Sequence, residues 1–223
     1  MTLAPDAVRS MFDRIAPVYD VMNRVMTGGL DVRWRRIAAS SAVRAGDRVL
    51  DAACGTGDLA LADLRAGAAT VTGLDFSPRM LERARRKSSA VDWVQGDLLA
   101  LPFADSAFDA VTIGFGVRNV SDLGLGLREL RRVLRPGGRL AILEITRARG
   151  PLRPFFSLWF DRIVPLLGRV LPGGRAYTYL PASVARFPVA EQLADELREA
   201  GFGDVSFRLL AGSIIAVHSG TAA

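Results

Sequence analysis

The sequence predicts an α/β fold, in which a mostly parallel sheet carries helices on both faces and the last strand is reversed. From Asp47 onward, short apolar runs alternate with helical patterns, which is typical of a parallel sheet covered by helices. Only residues 210–212 separate the last two apolar runs, and a connection this short predicts an antiparallel hairpin. With 223 residues, 50% of them hydrophobic, the chain can bury one substantial core.

Apolar patterns and their flanking residues place the elements of this fold. Ser77 followed by Pro78 is typical of a helix start, because the hydroxyl caps free amides and proline has the required φ. Four helices are predicted between strands, near residues 58–66, 78–88, 121–134 and 189–200. Seven strands are predicted, at residues 48–52, 70–75, 92–95, 110–114, 138–144, 204–209 and 213–219.

The chain is predicted to form a single domain, residues 1–223, built from four parts. A helical N-terminal cap (1–44) precedes a cofactor-binding core (45–146). The proline-rich residues 147–188 are interpreted as a substrate-side insertion, and residues 189–223 as a C-terminal helix and hairpin.

Charge and cysteine content narrow the compartment and the partners. The sequence has 29 Lys and Arg residues against 23 Asp and Glu residues. The basic residues form local clusters, such as residues 33–36 and 83–87, which are interpreted as solvated helix faces. Because neither a recognition helix nor an aromatic platform accompanies them, no nucleic-acid partner is expected, whereas an anionic membrane surface suits the net charge of +6. Cys54 is the only cysteine, and residues 1–10 lack signal-peptide features, which predicts a cytoplasmic protein. No stretch is apolar enough for a membrane-spanning helix.

Residues 49–60 combine a strand, a glycine turn and a helix start, which is typical of a nucleotide-like ligand site. Gly55, Gly57 and Ala60 also match the dinucleotide fingerprint. However, Asp51 and Asp58 flank the glycines where a doubly negative pyrophosphate would lie, and like charges repel. A ligand with an ammonium and a sulfonium group beside an adenosine has the opposite requirement. This charge pattern predicts S-adenosylmethionine.

Four further residues lie at or just after the ends of predicted strands, at the same edge of the sheet. Asp75 is placed to accept from both ribose hydroxyls, a role that would suit NAD equally well. Asp97 is placed to accept from the adenine amino group, while Leu98 covers a ring face. Gly114 leaves backbone room below the methionine part of the ligand. The alternative for each aspartate is a turn or a helix cap.

Two sets of motifs resemble known methyltransferases. Residues 51–58 resemble the first motif of class I S-adenosylmethionine-dependent methyltransferases, whose Rossmann-like fold has a reversed last strand. Residues 11–16, with Tyr19, Asp20, Met22 and Asn23, resemble the start of the menaquinone and ubiquinone C-methyltransferases. Further segments similar to that family, which together extend the match over nearly the whole chain, are residues 108–120, 132–144, 179–188 and 216–220.

The resemblance implies roles for individual residues. It implies catalytic roles for Arg118, Asn119 and Tyr19, no metal, and a reduced prenylated quinol as substrate. A homodimer is also expected as one oligomeric state. The cofactor contacts that it implies are Asp51, Gly55, Thr56, Gly57, Asp75, Phe76, Asp97, Leu98 and Gly114.

Methylation of an aromatic carbon requires a hydroquinone whose ortho hydroxyl loses a proton, so that electron density reaches the target carbon. Because arginine is a cation at pH 7, Arg118 is expected to stabilise the oxyanion while a neighbour or a water removes the proton. Tyr19, Asp20 and His218 are the alternatives, although a lone imidazole is more often a packed structural group. Cys54 is interpreted as a small buried filler. Glu144 is interpreted as either a hydrogen-bonding group of the site or the partner of an arginine.

In a strongly apolar segment, residues 155–171, the apolar residues recur at helical spacing, and the segment is more apolar than a surface helix requires. Core packing is one interpretation. The other is a channel for an isoprenoid tail, formed with the helix that contains Met22, Val25 and Met26 and resting peripherally on the inner face of the cell membrane.

The sequence therefore predicts an enzyme that converts demethylmenaquinol to menaquinol with S-adenosylmethionine. Three alternatives stay open. They are a ubiquinone-pathway benzoquinol C-methyltransferase, a secondary-metabolite methyltransferase acting on a polar phenol or amine, and a module that binds the cofactor without catalysis.

Overall fold

The structure, a computed structural model, describes residues 5–148 and 174–223. In this part of the chain the helices are α1 Pro5–Ile15, α2 Tyr19–Thr27, α3 Leu30–Ala42, α4 Asp58–Arg65, α5 Pro78–Lys87, α6 Leu123–Val133, α7 Gly174–Arg186 and α8 Ala190–Glu199, with a 3₁₀ helix at Val117–Asn119. The strands are β1 Arg48–Ala52, β2 Thr70–Asp75, β3 Asp92–Gln95, β4 Phe108–Gly114, β5 Leu134–Ile145, β6 Phe202–Leu210 and β7 Ile215–Ala222.

Seven strands of the described residues form one sheet in the order β3-β2-β1-β4-β5-β7-β6. Strands β1 to β5 pair in parallel, and β7 is antiparallel to both of its neighbours. The predicted Rossmann-like α/β class with a reversed last strand is confirmed. The reversed strand lies inside the sheet rather than at its edge, because the β6–β7 hairpin places β7 against β5 and leaves β6 outermost.

The predicted and observed bounds differ most at β5. The strand begins at Leu134 instead of residue 138, and Leu134 pairs with Phe108 before the register shifts to Ala110 and Arg139. Pro136 and Gly137 normally interrupt a strand. Here Gly137 adopts a φ of +71° within an irregular start of the strand, so the chain stays in the sheet despite both residues.

The predicted start of α5 is confirmed in detail. The Ser77 side chain accepts a hydrogen bond of 3.1 Å from the Met80 amide, and Pro78 occupies the first turn. This cap places the N-terminus of α5 directly behind the end of β2. The loop between these two elements therefore has a fixed course beside the carboxyl edge of the sheet.

Apolar layers cover both faces of the sheet. On one face, α3 and α4 pack against β5 and β7 through residues such as Trp34, Leu59 and Leu143. On the other face, α6 and α8 contribute Leu130 and Leu193 to the largest cluster. Helix α1 lies apart from these layers and packs on α5.

Every helix within the described ranges is too short or too polar to span a membrane. The apolar segment 155–171 and most of the predicted insertion lie outside the described residues. The division into four parts therefore stays a prediction.

Candidate active site

The loop after β1 turns sharply because three of its residues have positive φ, namely Ala53 (+52°), Gly55 (+56°) and Gly57 (+85°). At Gly57 a side chain has no space, since a Cβ atom would lie 2.3 Å from Cη2 of Trp93. The Cys54 amide donates to the Leu74 carbonyl over 2.9 Å, which fixes the loop to the end of β2. The glycine turn is thus held by its own backbone and by packing.

Asp75 secures the same loop through its carboxylate. Its Oδ2 accepts from the Gly55 amide and its Oδ1 from the Ser77 amide, both at 2.8 Å. Burial raises the pKa of Asp75 to about 6, although these two hydrogen bonds oppose the shift. The interpretation of this aspartate as a turn residue is confirmed; because its side chain also faces a cavity, the contact with a ribose stays a prediction.

Three adjoining cavities lined by described residues surround the glycine turn. The loop cavity, about 50 Å³, is bounded by Gly55, Asp75 and Gly114. The strand-end cavity, about 280 Å³, lies beside Asp97 and Leu98. The apolar cavity, about 140 Å³, lies among α1, α2 and α3, with a wall of methionine and aromatic side chains. The walls that the loop cavity shares with the apolar cavity are Phe12, Tyr19, Arg35 and Phe115.

The structure brings most of the sequence-predicted contacts together around these spaces. Asp51 and Gly57 differ, because neither lines these cavities: Asp51 is fully buried on β1, and Gly57 packs against Trp93. Asp97 accepts from the Leu99 amide at 2.9 Å, so it also stabilises a turn. The residues that line the loop cavity, the strand-end cavity or both are Gly55, Thr56, Asp75, Phe76, Asp97, Leu98, Gly114 and Asn119.

Arg118 lies between the apolar and strand-end cavities and is paired with Glu144. Its Nη1 donates to Glu144 Oε1 at 2.7 Å and to the Phe115 carbonyl at 2.6 Å. The two side chains are 9% and 1% exposed, so this is a buried ion pair. The arginine partner considered for Glu144 is confirmed. Arg118 Nε is buried and has no hydrogen-bond partner among the described residues.

Asn119 completes the turn after β4. Its Nδ2 donates to the Phe115 carbonyl at 3.4 Å, while its Oδ1 is buried and lacks a partner in the described part of the chain. A Cβ on Gly116 would lie 2.7 Å from that of Ala53, so this turn touches the glycine loop directly. At this junction, where the turn after β4 meets the glycine loop, a buried donor, Arg118 Nε, and a buried acceptor, Asn119 Oδ1, therefore lack partners among the described residues.

The other sequence candidates have different environments. Tyr19 lines both the apolar and the loop cavities. Asp20 accepts from Thr56 Oγ1 at 2.5 Å and pairs with Lys87 at 2.7 Å, so it fastens α2 to the loop. His218 is buried on β7, with Nε2 2.8 Å from the Ala190 carbonyl, and burial lowers its pKa. His218 is therefore a structural group. Cys54 is buried, as expected for a filler, and burial raises its pKa.

Sequence reasoning missed the charged groups that lie behind the cavities. The interpretation of residues 33–36 as a solvated face is wrong for Arg35, which is 6% exposed and stacks 5.2 Å over the Phe115 ring. In residues 83–87 the interpretation holds for Lys87, which is exposed, although its Nζ also bridges Asp20 and Asp58 at 2.7 Å each. The sequence did contain a signal for the environment of Arg35, because Asp31 and Arg35 are four residues apart and can form an ion pair on one face of α3.

The polar groups at the cavities fit a cationic, adenosine-containing ligand. Two carboxylates, Asp75 and Asp97, face the loop and strand-end cavities, and Asn119 Oδ1 is a buried acceptor in need of a donor. An ammonium and ribose hydroxyls are donors of the required kind. A pyrophosphate would add negative charge to this acidic surface.

Comparisons with known proteins identify relatives along nearly the whole chain. A sequence profile described as the ubiE/COQ5 methyltransferase family matches residues 1–222. The demethylmenaquinone methyltransferase of Thermus thermophilus is 48% identical over 218 residues, which cover 94% of this chain and 99% of that protein. The ubiquinone/menaquinone biosynthesis C-methyltransferase UbiE of Paracoccus denitrificans is 43% identical, with 96% and 89% covered.

A solved structure supports the fold independently. An S-adenosylmethionine-dependent methyltransferase from Thermotoga maritima superposes with a TM-score of 0.67 at 22% identity and covers 96% of this chain and 99% of its own. At this identity the likeness shows the class I methyltransferase fold.

Proposed function

Because this chain belongs to the ubiE/COQ5 methyltransferase family, we propose that it transfers the methyl group of S-adenosylmethionine to a ring carbon of demethylmenaquinol, giving menaquinol. One observation carries the proposal: an apolar cavity shares walls with the loop cavity. A hydrophobic quinol in the apolar cavity would therefore lie next to a cationic methyl donor in the loop cavity.

The substrate class follows from the chemistry of the apolar cavity and the names of the relatives. Met11, Met22, Met26 and Trp34 give this cavity a lining suited to a prenylated ring rather than to a polar amine. The Thermus thermophilus relative is named for demethylmenaquinone, and the Paracoccus denitrificans relative for both ubiquinone and menaquinone. A ubiquinone-pathway benzoquinol is therefore the second candidate.

The residues at the junction supply position and charge for the reaction. The bound sulfonium compound supplies an electrophilic methyl group. Arg118 lines the apolar cavity, so its guanidinium can stabilise the oxygen that becomes a phenolate, while a water or a neighbouring side chain takes the proton; Glu144 holds the guanidinium in place. Asn119 Oδ1 would accept a hydrogen bond from a donor group of the cofactor in the adjoining loop cavity. Confinement of the ring beside the methyl donor supplies much of the rate acceleration. Correct orientation alone can lower the activation free energy by several kcal/mol, up to about 7 to 11 kcal/mol.

A methyl-transfer assay tests the reaction and the ring type together. Purified protein is incubated with methyl-labelled S-adenosylmethionine and, in parallel, a reduced demethylated naphthoquinol, a reduced benzoquinol and a polar phenol. We expect label in the naphthoquinol only. Label in the benzoquinol alone favours the second candidate. Label in the phenol alone contradicts a quinol substrate, and binding without transfer to any acceptor contradicts catalysis.

We also propose that the protein contacts the membrane peripherally through the outer side of α2 and the start of α3. Val21 and Val25 are 64% and 59% exposed, and Leu30 and Val32 are exposed nearby. Exposed arginines, Arg33 and Arg36, flank this patch on α3, and anionic headgroups would attract them. The same helices line the apolar cavity, so a tail could pass from lipid to ring site.

Liposome sedimentation tests this contact. The double variant Val21→Ser, Val25→Ser should bind anionic liposomes several-fold more weakly than the unmodified protein, because it loses exposed apolar area. Leu125→Ser is the matched control, since Leu125 is 37% exposed on the distant α6. Equal binding by all three proteins would refute the proposal. Sedimentation equilibrium on the same samples tests the expected homodimer.

A further inference from the structure

Two carboxylates, Asp51 and Asp63, lie buried behind the glycine loop, and the mechanism above uses neither of them. Asp51 lies on β1, one residue before the strand ends, and Asp63 lies on α4; both are fully buried. The β1–β4 register pairs Asp51 with Thr112, and Thr112 Oγ1 donates to Asp63 Oδ2 at 2.7 Å. Asp63 on α4 thus bonds the β4 residue that is paired with Asp51.

The oxygens that remain on this pair have no donors. Asp51 Oδ1, Asp51 Oδ2 and Asp63 Oδ1 are buried without a hydrogen-bond partner among residues 5–148 and 174–223. The Ala60 amide lowers the pKa of Asp51 without reaching hydrogen-bond geometry. An ionised carboxylate buried without donors is costly. A proton on Asp63 Oδ1 would turn an orphaned acceptor into the donor that Asp51 lacks.

The charges facing the pair favour such a proton. Burial raises the pKa of Asp51 to about 8, with further increases from Asp75 on β2 and Asp58 on α4. The charge of Arg35 on α3 opposes this rise in the pKa of Asp51. Arg35 also forms an ion pair with Asp31 on the same helix.

Asp63 holds its proton more firmly than an ordinary aspartate. Burial raises its pKa, and the charge of Asp51 raises it further. The hydrogen bond from Thr112 on β4 works in the opposite direction. Cys54, in the loop beside them, stays a neutral thiol because burial and both Asp51 and Asp75 raise its pKa.

We propose that Asp63 is a positioning residue, which keeps its proton at neutral pH and uses it to donate a hydrogen bond to the Asp51 carboxylate when the cationic cofactor is bound. Asp51 then presents its negative charge behind the loop without a second buried anion beside it. This role rests on the proposed use of S-adenosylmethionine. It concerns a side chain that lies behind the cavity wall and acts only through Asp51.

Infrared difference spectroscopy on the cofactor-bound protein tests the proton directly. We expect the C=O stretching band of a protonated carboxylic acid in the unmodified protein and in Asp51→Asn, and its loss in Asp63→Asn. Because the unmodified protein is measured first, the test does not depend on a variant folding. A spectrum without the band, or a band that persists in Asp63→Asn, would overturn the proposal.

Binding measurements test the consequence for the cofactor. Asp63→Asn retains a neutral donor, so its dissociation constant for S-adenosylmethionine should stay within about threefold of the unmodified value at pH 7. Asp63→Leu removes the donor and should weaken binding by about tenfold to a hundredfold. Equal affinity for Asp63→Leu overturns the proposal.

Unfolding measurements on the cofactor-free protein separate this proposal from the proposed function. A raised folded-state pKa means that the proton stabilises the fold, so the free energy of unfolding should fall as pH rises from 6.5 to 8. Asp63→Asn should reduce that slope by about half, because one of the two titrating carboxyls is gone. An unchanged slope contradicts the protonated Asp63. If the slope halves but the unmodified protein does not bind S-adenosylmethionine, the proposed function fails and the proton assignment stands.

Discussion

At the residue scale, Asp75 combines a structural and a ligand-facing role in one carboxylate. Its oxygens bond the amides of Gly55 and Ser77, and its side chain also lines the loop cavity. Each carboxylate oxygen has two lone pairs, so bonds to the loop leave capacity for a ribose hydroxyl. A change at this position should therefore affect both the turn and the ligand.

We expect Asp75→Asn to raise the dissociation constant for S-adenosylmethionine by about tenfold to a hundredfold, the scale of a lost hydrogen bond to a charged group. In the unmodified protein, affinity should also fall as pH drops through about 6, because protonation removes the anionic acceptor. Calorimetry from pH 5 to 7 measures both effects. Asp92→Asn, at an exposed carboxylate on β3, is the control. Unchanged affinity in Asp75→Asn would remove this residue from the site.

Arg118 should separate catalysis from cofactor binding. Arg118→Ala is expected to lower kcat by about a hundredfold or more, because the oxyanion loses its donor, while the dissociation constant for S-adenosylmethionine changes less than twofold. Arg118→Lys keeps the charge but not the guanidinium geometry, so its kcat should stay well below the unmodified value. Single-turnover kinetics and calorimetry provide the two quantities. If kcat falls and the dissociation constant for S-adenosylmethionine rises by a similar factor, Arg118 lies at the cofactor instead.

At the element scale, ion pairs fasten the N-terminal helices to the glycine loop. Lys87, the only lysine of the sequence, joins α5 to Asp20 on α2 and to Asp58 on α4. Arg24 on α2 adds a bond of 2.9 Å to Asp58 and a second ion pair with Asp31. These contacts hold α2 across the loop cavity, where Tyr19 forms part of the wall.

We expect Lys87→Met to loosen α2 and to increase the dissociation rate of S-adenosylhomocysteine several-fold, since two partly buried carboxylates lose a common cation. Amide hydrogen exchange over residues 19–27 should accelerate in the same variant. Arg86→Met is the matched control, because Arg86 is 70% exposed and pairs only with Glu82 among the residues described. Identical exchange in both variants would show that the ion pairs do not fix the helix.

At the scale of the whole molecule, the site follows from the strand order. Strands β2 and β3 lie on one side of β1, and β4 and β5 on the other, so the chain reverses its direction of growth beside β1. Ligands of open parallel sheets bind where this reversal occurs, at the carboxyl ends of the strands. Asp75, Asp97 and Gly114 lie at those ends, although they are far apart in sequence.

Ligand-dependent thermal stability tests the charge preference of the entire site. At a concentration about a hundred times its dissociation constant, S-adenosylmethionine should stabilise the protein by about 2.7 kcal/mol, or roughly 5 to 10 °C in Tm. NAD should give no increase, because its pyrophosphate would lie beside Asp58 and Asp75 in the loop cavity. Differential scanning calorimetry measures both. A larger increase in Tm with NAD than with S-adenosylmethionine would contradict the inference that the acidic loop selects a cationic ligand.

Much of the fold was predictable because its signals are local. The start of α5 depends on Ser77 and Pro78, and the β6–β7 hairpin depends on a short connection, both of which are visible in neighbouring residues. The position of β7 between β5 and β6 was not predictable, because strand order depends on packing between segments far apart in the chain.

The sequence by itself determined the class of fold, the glycine turn and the acidic character of its surroundings, since residue type and spacing set backbone conformation and charge. The tertiary structure alone decided which charges are buried together. Arg35 on its helix and Asp63 on the next look like surface residues in the sequence, yet folding removes both from water. Burial of this kind depends on contacts between distant segments, and it changes proton affinities that residue type alone leaves near their ordinary values.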